Sequence, residues 1–499
     1  MNTPFVHKFR TEDSGCIYDV NSNTVAKVTQ VVYDVVDYYG HPIQDIIDRF
    51  AGVHTAAEIK AACETISIAR EREGLFLSTR PSRTRFAVDD EALEARLDTH
   101  LSYMILEVTQ QCNLRCRYCT YSQDRGTRPH SSVHMSFEVA QKAIDYFLLH
   151  SSVLTDDRTP VVGFYGGEPL LNRSLIARCV RYIDAILGRT EVGYYITTNG
   201  TLLDEEAIAL FLKYNFQVTI SLDGPQTVHD RYRVFPDGRG SYERIVSNLK
   251  RLSDASPRFY ESNVSFNMCI PAPYHYLAHQ EFVCNRRDII QDNHYLNPII
   301  PSIERNTYFR NFPREALDPH NAEYEAFWNT YRHGAEDGIL NMEDVPRYLK
   351  FPSAYFTPDL LHIGKLAPAV TLAETAYAKV CKPGVTRIFV SANGLLFPCE
   401  RCNHAAGTLC MGSVNEGIRY GRVRGFISKY FELGQEDCCT CWALRHCSLC
   451  FASIEESTGF SIDRKRRLCR GVRKGLHDDL VRVYSILEVN PKAFDFMNS

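Results

Sequence analysis

The stretch Glu107-Val108-Thr109-Gln110-Gln111-Cys112-Asn113-Leu114-Arg115-Cys116-Arg117-Tyr118-Cys119 ends an apolar run in three cysteines spaced C-x3-C-x2-C. Three thiolates on one tight loop can hold three corners of an iron–sulfur cubane. No fourth ligand follows, which leaves one iron open to an exchangeable small molecule. The alternative is a structural zinc site. Zinc takes four ligands, commonly in two pairs, and this triplet is odd in both number and spacing.

Further features sit where such a loop needs company. Strand candidates at Tyr103–Val108, Val161–Tyr165, Val192–Thr197, Gln217–Leu222 and Asn263–Ile270 alternate with amphipathic helices such as Ser136–Leu149. Repeated βα units predict a parallel sheet and, at this number, a full or partial barrel. Loops that follow the strands gather on one rim, where barrel active sites are built. Gly166-Gly167-Glu168, Asn199-Gly200 and Asp223-Gly224 all follow predicted strands, as the cysteine loop does.

With 499 residues the chain is too long for one core. Residues 1–95 read as a small separate unit. Short β-like pieces at Phe5–Phe9, Cys16–Val20 and Thr24–Val28 precede an apolar helix at Gln30–Tyr39. A capping box, Thr55-Ala56-Ala57-Glu58, opens a second helix, and Leu75–Ser78 reads as a returning strand. That order fits a winged-helix-like domain. The core barrel follows at 100–272. A bridging region at 273–375 loses the periodicity and either links the units or lines a substrate path. Residues 376–499 form the last domain.

The formal charge of −4 gives no sign of a nucleic-acid partner. The short basic run Arg464-Lys465-Arg466-Arg467 reads as a solvated face. Neither a signal-peptide h-region nor a run of about 18 apolar residues is present, so no membrane association is expected. Eighteen cysteines without an export signal argue for metal or redox use in a reducing cytoplasm. Ten of the 18 fall between Cys381 and Cys469, and Cys16, Cys63, Cys179, Cys269 and Cys284 are scattered, as small buried hydrophobes are.

The three-cysteine loop resembles the signature of the radical S-adenosylmethionine (SAM) enzymes, and Tyr165-Gly166-Gly167-Glu168-Pro169 resembles their second motif. Thr198-Asn199-Gly200-Thr201 and Ser221-Leu222-Asp223-Gly224 look like the third and fourth strand-end motifs. The resemblance implies a partial (β/α)6 barrel. It also implies a 4Fe–4S cluster on Cys112, Cys116 and Cys119, and SAM held near Tyr118, Gly166, Gly167, Glu168, Thr198, Asn199, Ser221 and Asp223, with Glu168 engaging an ammonium group. Cys381, Gly394 and Cys399, then Cys438-x2-Cys441-x5-Cys447-x2-Cys450 and Cys469, resemble the SPASM extension of peptide-modifying members. That likeness implies two auxiliary clusters, one on Cys381, Cys399 and Cys450, the other on Cys438, Cys441, Cys447 and Cys469. The last pair is spaced x2 where the family has x3, and an early ligand is missing. The first auxiliary cluster then takes Cys402 or keeps an open iron. A zinc ribbon at Cys438–Cys450 is the competing reading of the paired cysteines.

The N-terminal unit also resembles the precursor-recognition domains of ribosomal peptide maturases, which bind a leader peptide as an added strand. Asp19-Val20-Asn21-Ser22-Asn23 and Cys119-Thr120-Tyr121-Ser122 resemble thioether-forming maturases of Cys-rich precursors. The activity implied is cleavage of SAM to a 5′-deoxyadenosyl radical, hydrogen abstraction from a substrate carbon and formation of a Cys thioether. The partners implied are a precursor peptide and an electron donor such as flavodoxin or ferredoxin. Glu400 stands where anaerobic sulfatase-maturating enzymes carry a proton-accepting aspartate; it is either a general base or the partner of Arg401 or another cation. Carbon–carbon crosslinking, formylglycine formation in a sulfatase, and a non-catalytic iron–sulfur or zinc scaffold that binds peptides are the alternatives.

Overall fold

The computed structural model describes residues 3–86, 88–119, 130–151, 159–187, 192–290, 294–298, 307–318, 321–339, 375–378 and 380–495. The Thr120–Ser122 part of the thioether-like motif and most of the bridging region lie outside them.

The N-terminal unit opens with an antiparallel meander of β1 (Val6–Arg10), β2 (Gly15–Asp19) and β3 (Thr24–Val28). Thr29 caps the helix Gln30–Val35, which tightens into a 3-10 turn at Val36–Tyr38. The capping box forms as the sequence predicts and starts the helix Ala56–Glu73. An additional helix, Ile43–Arg49, lies between them. The returning strand at Leu75–Ser78 does not form. Phe76 sits at φ +57°, its N–H held by the buried Asp19 carboxylate, so the backbone leaves the extended region and keeps one bridge, Phe5 N–H to Leu77 O at 2.9 Å.

Alternation along β2 puts Ile17 on one face and Cys16 and Tyr18 on the other. Ile17 joins a core with Val32, Val35, Ile59 and Ile66. Cys16 and Tyr18 join Phe5, Phe9, Ala443, Leu444, Leu476 and Leu480. The unit is therefore not separate: one face of its sheet is part of the core of the C-terminal region. Strand β4 (Arg83–Phe86) leads to the helix Asp90–Thr99, whose Leu93 and Leu97 enter the main core.

Among the described residues one 10-stranded sheet dominates the fold. Its six consecutive parallel strands are β5 (Tyr103–Thr109), β6 (Val161–Gly166), β7 (Gly193–Thr198), β8 (Gln217–Ser221), β9 (Val264–Ile270) and β10 (His294–Pro298). This is the expected partial (β/α)6 arrangement. Five strands stand where periodicity puts them, while β10 lies beyond residue 272, in the stretch read as bridging. Strand β11 (Thr375–Ala378) pairs with β4, and β12 (Arg387–Val390) runs parallel to β5. Then β13 (Leu395–Phe397), β14 (Gly412–Ser413) and β15 (Gly417–Ile418) follow antiparallel. Because β13 reverses direction, Cys399 and Glu400 return to the end of the sheet where β5 and β12 begin, opposite the rim that carries Cys112.

The chain closes with the helix Ile462–Val489. Arg464 and Lys465 are buried in it while Arg466 and Arg467 are exposed, so only half of the basic run is a solvated face. Val483 and Ile486 pack on Trp328 and Tyr331, while Leu480 supports the N-terminal sheet. Shortening that contact, Leu480→Ala, is expected to cost about 2–5 kcal/mol. Anaerobic urea unfolding followed by tryptophan fluorescence measures it; a loss below about 1 kcal/mol would show that the sheet does not rest on this helix.

Candidate active site

Backbone bonds from two directions shape the cysteine loop. Arg115 N–H donates to Val234 O at 2.7 Å and Arg117 N–H to Tyr232 O at 3.0 Å, anchoring it to the segment after β8. On the other side Gly167 N–H reaches Thr109 O and Glu168 N–H reaches Gln111 O, both at 2.9 Å. The adjacent glycines are required by this approach. A Cβ on Gly166 would stand 2.1 Å from Thr109 O, and one on Gly167 2.2 Å from Gln111 O.

Glu168 is 0% exposed and its carboxylate is fully engaged by protein. One oxygen accepts from Leu170 N–H (3.0 Å) and Thr198 Oγ1 (2.7 Å), the other from Asn199 N–H (2.7 Å). These bonds join the end of β6 to the end of β7. Burial raises its pKa, opposed by those bonds. Asn199 Nδ2 in turn donates to Asn113 Oδ1 at 2.9 Å, and Asn113 Nδ2 donates to Thr201 Oγ1 at 2.8 Å. The third motif thus clasps the middle of the cysteine loop.

Asp223, also 0% exposed, does the same from β8. It accepts from the Tyr118 hydroxyl, from Arg233 Nε at 2.9 Å and from Cys269 N–H at 3.0 Å. Its own N–H donates to His229 Nδ1 at 3.1 Å, and His229 Nε2 meets Ser241 Oγ at 2.9 Å. Tyr118 and Asp223, expected beside the cofactor, are thus hydrogen-bonded to each other within the frame. Ser221 is buried at the end of β8. Arg233 and Cys269 are site residues that sequence reasoning missed. Arg233 Nη1 lies 3.9 Å from Cys116 Sγ and Nη2 3.8 Å from Cys269 Sγ. The available signal was the charge of Asp223, a strand-end carboxylate that needs a cation once buried.

Cys112, Cys116 and Cys119 fit a cluster by their chemistry. Cys112 and Cys116 each lie in the electrostatic field of the other loop cysteines. Burial pushes the Cys112 thiol up to about 12 and the Cys116 thiol well above its ordinary value, so thiolates here call for compensating positive charge, which iron supplies.

Two more groups of cysteines lie near one another. Cys438, Cys441, Cys447 and Cys469 line one cavity of about 560 Å³. At the far end of the barrel Cys381, Cys399 and Cys450 interact with one another, and Cys402 hydrogen-bonds with Cys399. That bond pulls Cys399 down to about 7, against its burial. Cys402, one of the two alternatives for the fourth ligand, lies beside Cys399. Among the described residues no three His, Cys, Asp or Glu side chains converge to hold a single metal ion; ligands to different corners of one cluster stand further apart.

A cavity of about 420 Å³ runs inside the barrel, lined by Tyr103, Tyr165, Tyr195, Thr197, Asn267, Arg387 and Glu400. Glu400 accepts from Arg387 Nη2 at 2.5 Å, so its cation is Arg387 and not Arg401. The guanidinium also lies over the Tyr103 ring, 5.4 Å from its centroid.

This fold and rim define a radical SAM domain: residues 106–272, about a third of the chain, match the Radical SAM superfamily model. The Cysteine-type anaerobic sulfatase-maturating enzyme of Clostridium novyi is 31% identical over 155 residues, 31% of this chain and 40% of that one. The radical SAM cyclopropyl synthase TigE of Paramaledivibacter caminithermalis is 22% identical over 368 residues, covering 71% of this chain and 68% of its own. Among solved structures, native anSMEcpe with bound AdoMet superposes with a TM-score of 0.51 at 15% identity, over 80% of this chain and 100% of that one. The chain spans between 36% and 55% of the length of the first curated relatives it matches. No helix among the described residues is long and apolar enough to cross a membrane.

Glu168→Gln puts an amide N–H against buried donors. It is expected to lower stability by about 1–3 kcal/mol and to weaken SAM binding in parallel. Thermal unfolding and equilibrium dialysis of the reconstituted protein test this, and an unchanged melting temperature would contradict the bonding described. His229 gives a pH signature. Burial lowers its pKa from 6.5 to about 4, so the unfolded chain binds the proton first as pH falls. The stability is fully present above about 6.5 and declines toward pH 4, by on the order of 3 kcal/mol in total. Urea midpoints across this range should flatten in His229→Gln; the same slope in that variant would assign it to other groups.

Proposed function

We propose that this chain is a radical SAM enzyme that modifies a ribosomally made, Cys-rich precursor peptide by hydrogen abstraction and Cys thioether formation. The observation that carries this reading is the cavity inside the barrel. Tyr165 and Thr197 line it and directly precede the rim motifs, while its floor is Glu400, the neighbour of Cys399. A substrate residue placed there lies between the three-cysteine loop and the Cys381, Cys399, Cys402 and Cys450 group. When bound, a 4Fe–4S cluster on Cys112, Cys116 and Cys119 together with SAM supplies a 5′-deoxyadenosyl radical, and the two auxiliary cysteine groups supply electron-accepting clusters. An electron donor such as flavodoxin or ferredoxin completes the set.

The protein's own residues place and protect. The barrel wall excludes water from the reacting carbon. Glu400 is within the cavity and takes the substrate proton, and the ion pair with Arg387 aims its carboxylate. The N-terminal unit binds the leader along its sheet, raising the local concentration of the core peptide. A second reading, oxidation of a sulfatase Cys or Ser, is favoured by the sulfatase-maturating relatives at 31% and 32% identity. Glu400 serves as base in either.

Anaerobic reconstitution with reductant and SAM tests the reading. The protein is expected to hold about 12 irons and to release 5′-deoxyadenosine. Replacing Cys112, Cys116 and Cys119 together by Ala should abolish that release and retain roughly two-thirds of the iron. With a Cys-rich precursor, Glu400→Gln should slow product formation and spare uncoupled SAM cleavage. Product masses separate a thioether from a formylglycine. Stoichiometric zinc, or iron near four, would sink the proposal.

A further inference from the structure

Lys465 is a buried cation without a carboxylate. Only 4% exposed, it donates to Tyr430 O at 3.1 Å and Leu433 O at 2.5 Å, and its ammonium lies 4.6 Å from the centre of the Tyr430 ring. Two neutral carbonyls and a ring face do not cancel a full charge. No carboxylate pairs with it among the described residues. The contrast with the other cations is direct: Arg233 has Asp223, Arg387 has Glu400, and the neighbouring Arg466 has Asp437 at 2.8 Å. A buried, uncompensated ammonium costs several kcal/mol.

What Lys465 does face is sulfur. It lines the same cavity as Cys438, Cys441, Cys447 and Cys469, together with Arg470, Arg473 and the Arg466–Asp437 pair. Its ammonium stands in the field of Cys438, Cys447 and Cys469. The missing negative charge therefore belongs in that cavity. A cluster held by four thiolates is anionic, and it becomes more so when it takes an electron. A fixed cation against its sulfurs favours the reduced state, as do hydrogen bonds to them.

We propose that Lys465 is the built-in counter-cation of the cluster held by Cys438, Cys441, Cys447 and Cys469, and that it raises the reduction potential of that cluster. The proposal rests on the ligand assignment made under the proposed function. Lys465 is a positioning residue: it touches the ligand sphere and leaves the reacting carbon to others.

A potentiometric titration of the intact reconstituted protein, followed by electron paramagnetic resonance, tests it on Lys465→Met, Lys465→Gln and Lys465→Arg, with iron counted in each. The neutral variants are expected to keep about 12 irons and to make the reduced cluster at least tenfold less favoured, about 59 mV for a one-electron couple. Lys465→Arg is expected to stay close to the wild type. Loss of this cluster from both neutral variants, with retention in Lys465→Arg, also supports the counter-charge. An unchanged potential in an iron-replete neutral variant overturns the proposal, as does an equal shift in Lys465→Arg. If the wild type itself holds only about eight irons and lacks this signal, the ligand assignment fails instead.

Discussion

A carboxylate removed from water must find donors, and Glu168 finds them on two pieces of chain. Thr198 and Asn199 come from the end of β7 and Leu170 from its own turn, while the Glu168 N–H is spent on Gln111 of the cysteine loop. Losing Asn199 N–H would leave one buried oxygen unpaired, while the other oxygen is shared by Leu170 N–H and Thr198. Two strand ends and the loop therefore hold one geometry. The glycines beside it are part of the same constraint, since a side chain at Gly166 or Gly167 would enter the carbonyls of Thr109 and Gln111. Asp223 repeats the device from the other side through Tyr118, Arg233 and His229. The loop is fixed between two buried carboxylates.

Cations are distributed to match the sulfur. Arg233 stands at Cys116, Lys465 at Cys438, and Arg387 beside the Glu400 that follows Cys399. Each of the three cysteine groups thus has a nearby positive charge; Arg233 and Lys465 are buried, where screening is weak, while Arg387 is partly exposed. The cavity inside the barrel lies between two of these groups, lined by tyrosines and threonines together with Ile105 and Phe164.

The N-terminal unit is joined to this machinery and not merely tethered to it. His7 stacks on Trp442 with ring centres 3.5 Å apart and planes 6° from parallel, and Trp442 directly follows Cys441. Arg445 donates to Val20 O at 2.5 Å and Asn21 O at 2.8 Å. A peptide bound along the sheet would act on a surface continuous with a cysteine cavity.

The chain's local order was legible in its sequence: five of the six parallel strands, the capping box at Thr55, the glycine pair and the grouping of cysteines all follow from periodicity, caps and spacing. Those signals live within a few residues, so a single chain displays them. Strand β10 escaped because its stretch lacks a clear period, and the strand expected at Leu75–Ser78 failed because Asp19, far away in sequence, captures Phe76 N–H. The partners of buried charge were likewise invisible. Glu168 and Asp223 read as ligand-facing carboxylates, and Arg464–Arg467 as a solvated run, because nothing local reports burial. Only the tertiary structure decides which cation or backbone amide meets a buried carboxylate, since burial makes that pairing obligatory while the fold alone brings the two together.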